Sequence, residues 1–228
     1  MHYKIVEIFD SIDGEGVRTG QPVSFIRLAG CNLRCSYCDT LYSLFGEEEP
    51  CRYTEMTDDE IIEKINSRYR RVTLTGGEPL IAPGIDFLIE KLAAKGYEIN
   101  IETNGAVDIE ALSKNAKVRG SLFFTIDYKL PSSSMCGKMK DKNFFLLTPR
   151  DAVKFVVGSD EDVQKMLEIS RRMKEFYSEM PQIYIGAVYG QFSLENLTET
   201  MLSEDSLSDA KIQVQLHKII WDPNKRGV

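Results

Sequence analysis

The chain reads as an α/β protein whose parallel strands form an incomplete βα barrel, in one domain spanning residues 1–228. Three observations predict this. Strand-like and helix-like stretches alternate with short breaks, and repeated units of that kind give parallel strands with right-handed crossovers. Polar and glycine residues fall at the ends of successive strand signals, where open sheets and barrels alike gather their functional groups. About six strand signals are too few for a full eight-stranded barrel, and the pattern alone leaves open whether the sheet curls or lies flat.

The elements follow in order. Residues 22–29 (PVSFIRLA) form a buried strand leading into a cysteine loop. Thr57-Asp58-Asp59-Glu60 is a capping box ahead of the apolar positions Ile61, Ile62 and Ile65. Residues 72–75 are a short strand ending at Gly76-Gly77. Residues 84–95 are a helix with Ile85, Leu88, Ile89 and Leu92 on one face, closed by Gly96. Strands follow at 98–103, 122–126 and 153–157, then a charged amphipathic helix at 160–177. Residues 183–188 and 212–216 supply the last two strands. The polar, Lys-rich stretch 132–143 reads as a surface loop, and His2 as part of a disordered terminus. No linker splits the chain, and no repeat recurs at a solenoid period.

With 43% hydrophobic and 28% charged residues, the composition is that of an ordinary globular domain with a real core. The longest apolar runs, such as Phe155-Val156-Val157, are far too short to cross a bilayer, and the N-terminus lacks the apolar segment of a signal peptide. A cytoplasmic location is expected, where five cysteines favour metal over disulfides. A net charge of −7 argues against a broad nucleic-acid interface. The densest basic cluster, Arg68, Arg70 and Arg71, reads as a solvated helix end. A small polar or anionic substrate stays open.

The cysteines carry the chemistry. Cys31, Cys35 and Cys38 stand as C-x3-C-x2-C. An ordinary iron–sulfur cluster takes four cysteines, one for each iron, so three leave one iron open to another ligand. The competing reading is a closed structural site completed by Cys51 or Cys136. Residues 74–80 (LTGGEPL) follow one strand later. Taken alone, their glycines make a tight strand-to-helix turn.

Together, the cysteine loop and this GGEP segment resemble the radical S-adenosylmethionine superfamily. The resemblance narrows at Ile12-Asp13-Gly14-Glu15-Gly16, Arg27, Asp39-Thr40, Gln215-Leu216-His217-Lys218, Trp221 and Asn224-Lys225-Arg226-Gly227-Val228. Over essentially the whole chain it is similar to the 7-carboxy-7-deazaguanine synthase family. Two alternatives stay open: an activating enzyme for a glycyl-radical protein, and a non-catalytic metal-binding module.

The resemblance implies a partial barrel of the radical S-adenosylmethionine type and a [4Fe–4S] cluster on Cys31, Cys35 and Cys38, whose open iron takes S-adenosylmethionine. The cofactor does the hard chemistry while the protein orients and shields it. Tyr37 lies against the adenine, Gly76 and Gly77 admit the methionine end, and Glu78 accepts from its ammonium. Asp39 and Lys129 join that set, Lys129 through the methionine carboxylate. Thr103-Asn104 is a strand-end polar pair or a helix cap. Thr40 is implied as the protein ligand of Mg2+, a hard ion that keeps several waters. Alone, it is a loop hydroxyl bonding its own backbone.

The implied reaction contracts the ring of 6-carboxy-5,6,7,8-tetrahydropterin, releasing ammonia and regenerating S-adenosylmethionine. Ile12, Asp13 and Gly14 line the pterin, with Asp13 standing where the family has glutamine. Glu15 bonds its guanidine-like edge, or is a surface turn carboxylate. Arg27 grips the substrate carboxylate and, on an apolar strand, requires a partner. Thr75, a strand-borne His217 and the C-terminal carboxylate of Val228 complete the set. The family also implies a homodimer and a flavodoxin or ferredoxin as electron donor.

Overall fold

A computed structural model describes residues 1–45, 51–223 and 225–228; Asn224 of the C-terminal motif lies outside the described residues. One sheet organises the chain. Its strands are β1 (His2–Ile12), β2 (Pro22–Leu28), β3 (Thr54–Thr57), β4 (Arg71–Gly76), β5 (Glu98–Thr103), β6 (Leu122–Tyr128), β7 (Ala152–Val157), β8 (Gln182–Ala187) and β9 (Lys211–Ile212). The spatial order is β3-β1-β2-β4-β5-β6-β7-β8-β9. β1 pairs antiparallel with β2 and β3, and every later pairing is parallel. The helices are α1 (Asp58–Lys64), α2 (Ile85–Ala94), α3 (Glu110–Ser113), α4 (Asp160–Phe176), α5 (Leu194–Ser203) and α6 (Leu216–Ile220).

Local sequence accounts for several helix starts. Thr57 and Glu60 close the capping box of α1 reciprocally. Ser159 accepts from the Asp162 amide at 3.2 Å, and Asp160, Glu161 and Asp162 load the first turn of α4 with negative charge.

Alternation along the strands separates two faces. Ile26, Leu74, Ile101, Phe124, Phe155 and Ile185 are fully buried in the apolar core with Leu88, Ile89 and Leu92 of α2 and Met166 and Met173 of α4. The other face is enclosed yet polar: Thr73 pairs in register with Asn100, Arg27 with Thr75, Glu102 with Thr125, and Asp127 with Lys154.

The sheet is curled. Laid flat, β2 and β9 would stand roughly 29 Å apart, six strand spacings. Yet the loop between β1 and β2 bonds the residue after β9. The Gly16 amide donates to Gln213 Oε1 at 2.7 Å, and Gln213 Nε2 donates to Thr19 Oγ1 at 2.6 Å. A loop of that length, anchored beside β2, cannot span the flat distance. The barrel is incomplete, and a loop rather than a strand closes it.

Arg18 seals one end. It is 3% exposed, and its guanidinium donates to Asp13 Oδ2 (2.8 Å), Thr73 Oγ1 (2.7 Å) and the Val72 carbonyl (3.1 Å) while lying over the Phe123 ring. Val72, Thr73 and Phe123 lie near the starts of β4 and β6, so the plug sits at the amino ends of the strands. Asp13 is thereby committed: Arg18 and Thr73 occupy its carboxylate, which is 1% exposed. The side-chain contact expected between Asp13 and the substrate is replaced by this buried ion pair.

Four further expectations are corrected. His2 begins an eleven-residue strand paired to β3. Residues 132–143 include tight helical turns, with Ser133 and Asn143 fully buried. The final strand is only Lys211–Ile212, and His217 lies on α6. The strand at 122–126 runs on to Tyr128. Among the described residues no helix is long and apolar enough to cross a membrane.

Removing one partner of a buried ion pair strands the other charge, at about 3–5 kcal/mol. Arg18→Met is expected to lower the unfolding free energy by about 3 kcal/mol in a urea titration, with Asp13→Leu/Arg18→Met recovering part of it. A loss below about 1 kcal/mol for the single variant would show that the plug does not hold the barrel end.

Candidate active site

At the carboxyl ends of the strands the chain brings its cysteine loop against the end of β4. The Glu78 amide donates to the Gly30 carbonyl at 2.8 Å, and the Gly77 amide to the Leu28 carbonyl at 3.2 Å. No Cβ fits there. At Gly77 it would meet the Gly30 oxygen at 2.0 Å and Cys31 Cβ at 2.9 Å, and at Gly76 the Leu28 oxygen at 2.2 Å. Gly76 also holds φ of 141°, a conformation that favours glycine. The two glycines therefore serve the docking of the cysteine loop.

Buried Leu33 and two bonds from Ser36 to the Ser132 and Ser133 carbonyls hold the other side of the loop. The thiols of Cys31, Cys35 and Cys38 are half-buried and near enough to feel one another's charge. Burial, aided by Asp127, Cys38 and Cys31 against Lys129, pushes the Cys35 thiol up to about 11. A bound cation reverses that balance, so these thiols fit a metal group. Among the described residues no three His, Cys, Asp or Glu side chains gather closely enough to hold one metal ion. A cluster needs each thiolate on a separate iron. The Tyr37 hydroxyl and Asp127 Oδ1 are buried beside this region without a partner.

A cavity of about 780 Å³ opens next to Cys38. Ile12, Gly14, Glu15, Arg27, Asp39, Thr40, Thr75, Gly76, Gly77, Lys129, His217 and Val228 all line it, as do Thr103 and Asn104. Cys31, Cys35, Tyr37, Asp13 and Glu78 do not belong to its wall. Glu78 lies fully buried behind it. Its carboxylate accepts from the Leu80 amide (3.0 Å), the Thr103 hydroxyl (2.8 Å) and the Asn104 amide (2.7 Å), tying the ends of β4 and β5 together. Burial outweighs these donors and pushes its carboxyl up to about 7. The structure commits both oxygens internally, where an acceptor for the methionine ammonium was expected.

The walls are charged in pairs. Arg27 Nε donates to Glu7 Oε1 at 2.7 Å, and the Tyr42 hydroxyl donates to the same oxygen at 2.9 Å. Glu7 is the partner that Arg27 requires, supplied by the neighbouring strand. Arg226 lies 4.0 Å over the Tyr42 ring. Opposite, Lys154 pairs with Glu15 at 2.8 Å and Lys129 with Asp127 at 2.7 Å. The Thr75 hydroxyl donates to Glu102 Oε2 at 2.8 Å, and burial raises the Glu102 carboxyl.

Near the mouth, the Thr40 hydroxyl donates to Asp39 Oδ1 at 2.8 Å and Lys218 stands 3.4 Å from Asp39. Burial opposes charge on Asp39, but Thr40 and Lys218 prevail and lower it. Thr40 and Asp39 give two oxygen donors, a fit for a hard ion that draws its remaining ligands from water and substrate. Burial lowers His217, which is therefore neutral at pH 7. Glu7, Glu102 and Lys154 escape sequence reading, although each alternates with apolar neighbours on its strand, where a charged residue needs a reason.

Residues 25–134 match the Radical SAM superfamily. The chain is 45% identical to the 7-carboxy-7-deazaguanine synthase of Clostridium acetobutylicum over the full length of both. It is 33% identical to that of Leptospira interrogans, covering 97% of this chain and 96% of the relative. The chain belongs to the 7-carboxy-7-deazaguanine synthase family. It is a radical S-adenosylmethionine lyase by that membership, and the activating-enzyme and metal-module readings fall away. The fold agrees. The crystal structure of QueE from Escherichia coli superposes with a TM-score of 0.71 at 21% identity, over 94% of this chain and 95% of that one. Streptococcus suis SuiB bound to S-adenosylmethionine superposes at 0.53 and 14% identity, over 81% of this chain and 48% of that one.

The raised Glu78 carboxyl has a signed consequence. Its folded value near 7 lies above the ordinary 4.5. The folded state then holds the proton longer, and the stability it contributes below the ordinary value is lost as pH rises towards 7. Urea titrations are expected to show the wild-type advantage over Glu78→Gln narrowing between pH 4.5 and 7, by about 1 kcal/mol or more. An advantage that is flat or widens over that range contradicts the assignment.

Proposed function

We propose that the chain converts 6-carboxy-5,6,7,8-tetrahydropterin to 7-carboxy-7-deazaguanine with loss of ammonia, in queuosine or another 7-deazapurine route. One observation carries this reading. A single cavity is lined at once by a cluster cysteine, an arginine able to grip a carboxylate, and carboxylates able to take paired N–H donors.

Cys31, Cys35 and Cys38 would hold a [4Fe–4S] cluster, with S-adenosylmethionine at its open iron and Lys129 facing the methionine carboxylate. When bound, these groups would supply one-electron chemistry that can take a hydrogen atom from the substrate.

The protein's part is positioning. Arg27 offers its free guanidinium N–H groups to the substrate carboxylate while Glu7 holds Nε. Glu15 and Glu102 accept from the amino and ring N–H groups of the pyrimidine edge. Neutral His217 and the backbone of Ile12 and Gly14 bound the ring. Thr40 would hold Mg2+, which would supply a fixed positive charge to offset negative charge on the substrate. Val228, whose carboxylate would reach the substrate, lines the cavity with Arg226 and Tyr42, which stack on one another. The family resemblance adds a homodimer, a flavodoxin or ferredoxin as reductant, and a cytoplasmic location.

Anaerobically reconstituted protein, reduced and given S-adenosylmethionine, Mg2+ and the carboxytetrahydropterin, is expected to release ammonia and form the deazaguanine acid. Arg27→Gln is expected to lower kcat/KM about a hundredfold, the scale of losing a buried charged contact. No product from protein with an intact cluster would refute the proposed reaction.

A further inference from the structure

The loop carrying Glu15 has no regular secondary structure, and something must fix where that carboxylate points. Arg18 ties down the Asp13 carboxylate within this loop, and Gln213 holds the Gly16 amide. Neither touches the Glu15 oxygens. What does is Lys154, 139 residues away on the polar inner face of β7, with Nζ 2.8 Å from Glu15 Oε2. Gln215 adds one longer bond at 3.4 Å. Both members of the pair are about as enclosed, each side chain 17% exposed on the cavity wall.

The position of Lys154 is unusual among its neighbours. It faces Asp127 across the β6–β7 register, and its charge is felt by Glu15, Asp127 and Glu102 alike. Glu15 and Glu102 line one cavity, and the Glu15 charge makes that of Glu102 harder to keep; Lys154 opposes this at Glu102. The ion pair fixes one of these carboxylates, Glu15, directly. The lysine stem is held in the strand, so the ammonium is preset rather than searching.

We propose that Lys154 is a positioning residue of the pterin pocket: it holds Glu15 against the cavity and keeps the Glu15–Glu102 acceptor pair together for the N–H-rich edge of the substrate. This rests on the reading of Glu15 and Glu102 given above. Lys154 acts through Glu15, so its effect belongs to substrate recognition and not to S-adenosylmethionine.

A double-mutant cycle on the reconstituted holoenzyme tests this, with binding as the readout. The probe is 6-carboxypterin, a fluorescent oxidised analogue that keeps the amino-oxo edge and the carboxylate. Glu15→Gln and Lys154→Met are each expected to weaken probe binding at least tenfold, while S-adenosylmethionine affinity stays within twofold. The double variant is expected to bind within twofold of Glu15→Gln alone, and Lys154→Arg to recover most of the loss. In turnover, Lys154→Met is expected to raise KM for the carboxytetrahydropterin more than it lowers kcat.

Probe binding unchanged in Lys154→Met, penalties that multiply in the double variant, or equal weakening of S-adenosylmethionine would overturn the proposal. If Glu15→Gln binds like wild type while wild type still forms product, the Lys154 proposal falls and the reaction stands. If wild type neither binds the probe nor forms product, the reading of the pocket itself has failed. Thermal midpoints of wild type, Glu15→Gln, Lys154→Met and the double variant separate these outcomes from misfolding, with Lys154→Arg, which keeps the charge, as the folded reference.

Discussion

The approach of one backbone to another at Gly76 and Gly77 sets the geometry of the whole upper face. With the Gly30 oxygen 2.0 Å from where a Gly77 Cβ would sit, the end of β4 and the start of the cysteine loop share a space that admits only hydrogen. Two backbone bonds, from Gly77 to Leu28 and from Glu78 to Gly30, lock that contact. Glu78 then extends it to β5 by accepting from Thr103 and Asn104, and Asn104 returns to the loop by donating to Asn32 at 2.8 Å and approaching Cys31 Sγ at 3.5 Å. Loop, β4 and β5 form a closed circuit of contacts, so the thiols are placed by the rigid sheet instead of by a free loop.

The incomplete barrel divides its work between two ends. At the amino ends of the strands, Arg18 gathers Asp13, Thr73 and the Val72 carbonyl into a plug that closes the interior. At the carboxyl ends the polar inner face stays open as the cavity. The loop between β1 and β2 joins both. Its Asp13 turns down into the plug, while the neighbouring Gly14 and Glu15 line the pocket and Gly16 clasps Gln213. That clasp supplies the closure that a full barrel obtains from strand pairing, and it brings the chain's last segment, with His217 and Val228, over the site.

What the sequence disclosed is what is local. The capping box at Thr57, the helix face from Ile85 to Leu92 and the strand at Glu98–Thr103 follow from periodicity and caps. So do the polar strand ends, which line the cavity as expected. Hidden parts depend on distant partners. Asp13 reads as a site residue until Arg18, five positions on, turns it inward. Glu7, Glu102 and Lys154 look like stray charges on strands until folding gives Glu7 to Arg27 and sets Glu102 and Lys154 on the cavity wall. Residues 212–216 read as a strand, but edge strand β9 ends at Ile212 and the chain turns into α6 at Leu216. Residues 132–143 are polar, yet Asn143 is buried because its side chain donates to the Gly105 and Val107 carbonyls, a use no composition reveals.

The central claim is that absence of a Cβ at Gly77 is what lets the cysteine loop dock. The most direct measurement is the iron content and reduced electron paramagnetic resonance spectrum of Gly77→Ala after anaerobic reconstitution. The account predicts a folded chain that keeps well under one iron where wild type holds about four, because the added methyl displaces Gly30 and Cys31. A Gly77→Ala protein with a full complement of iron and the wild-type spectrum would contradict it.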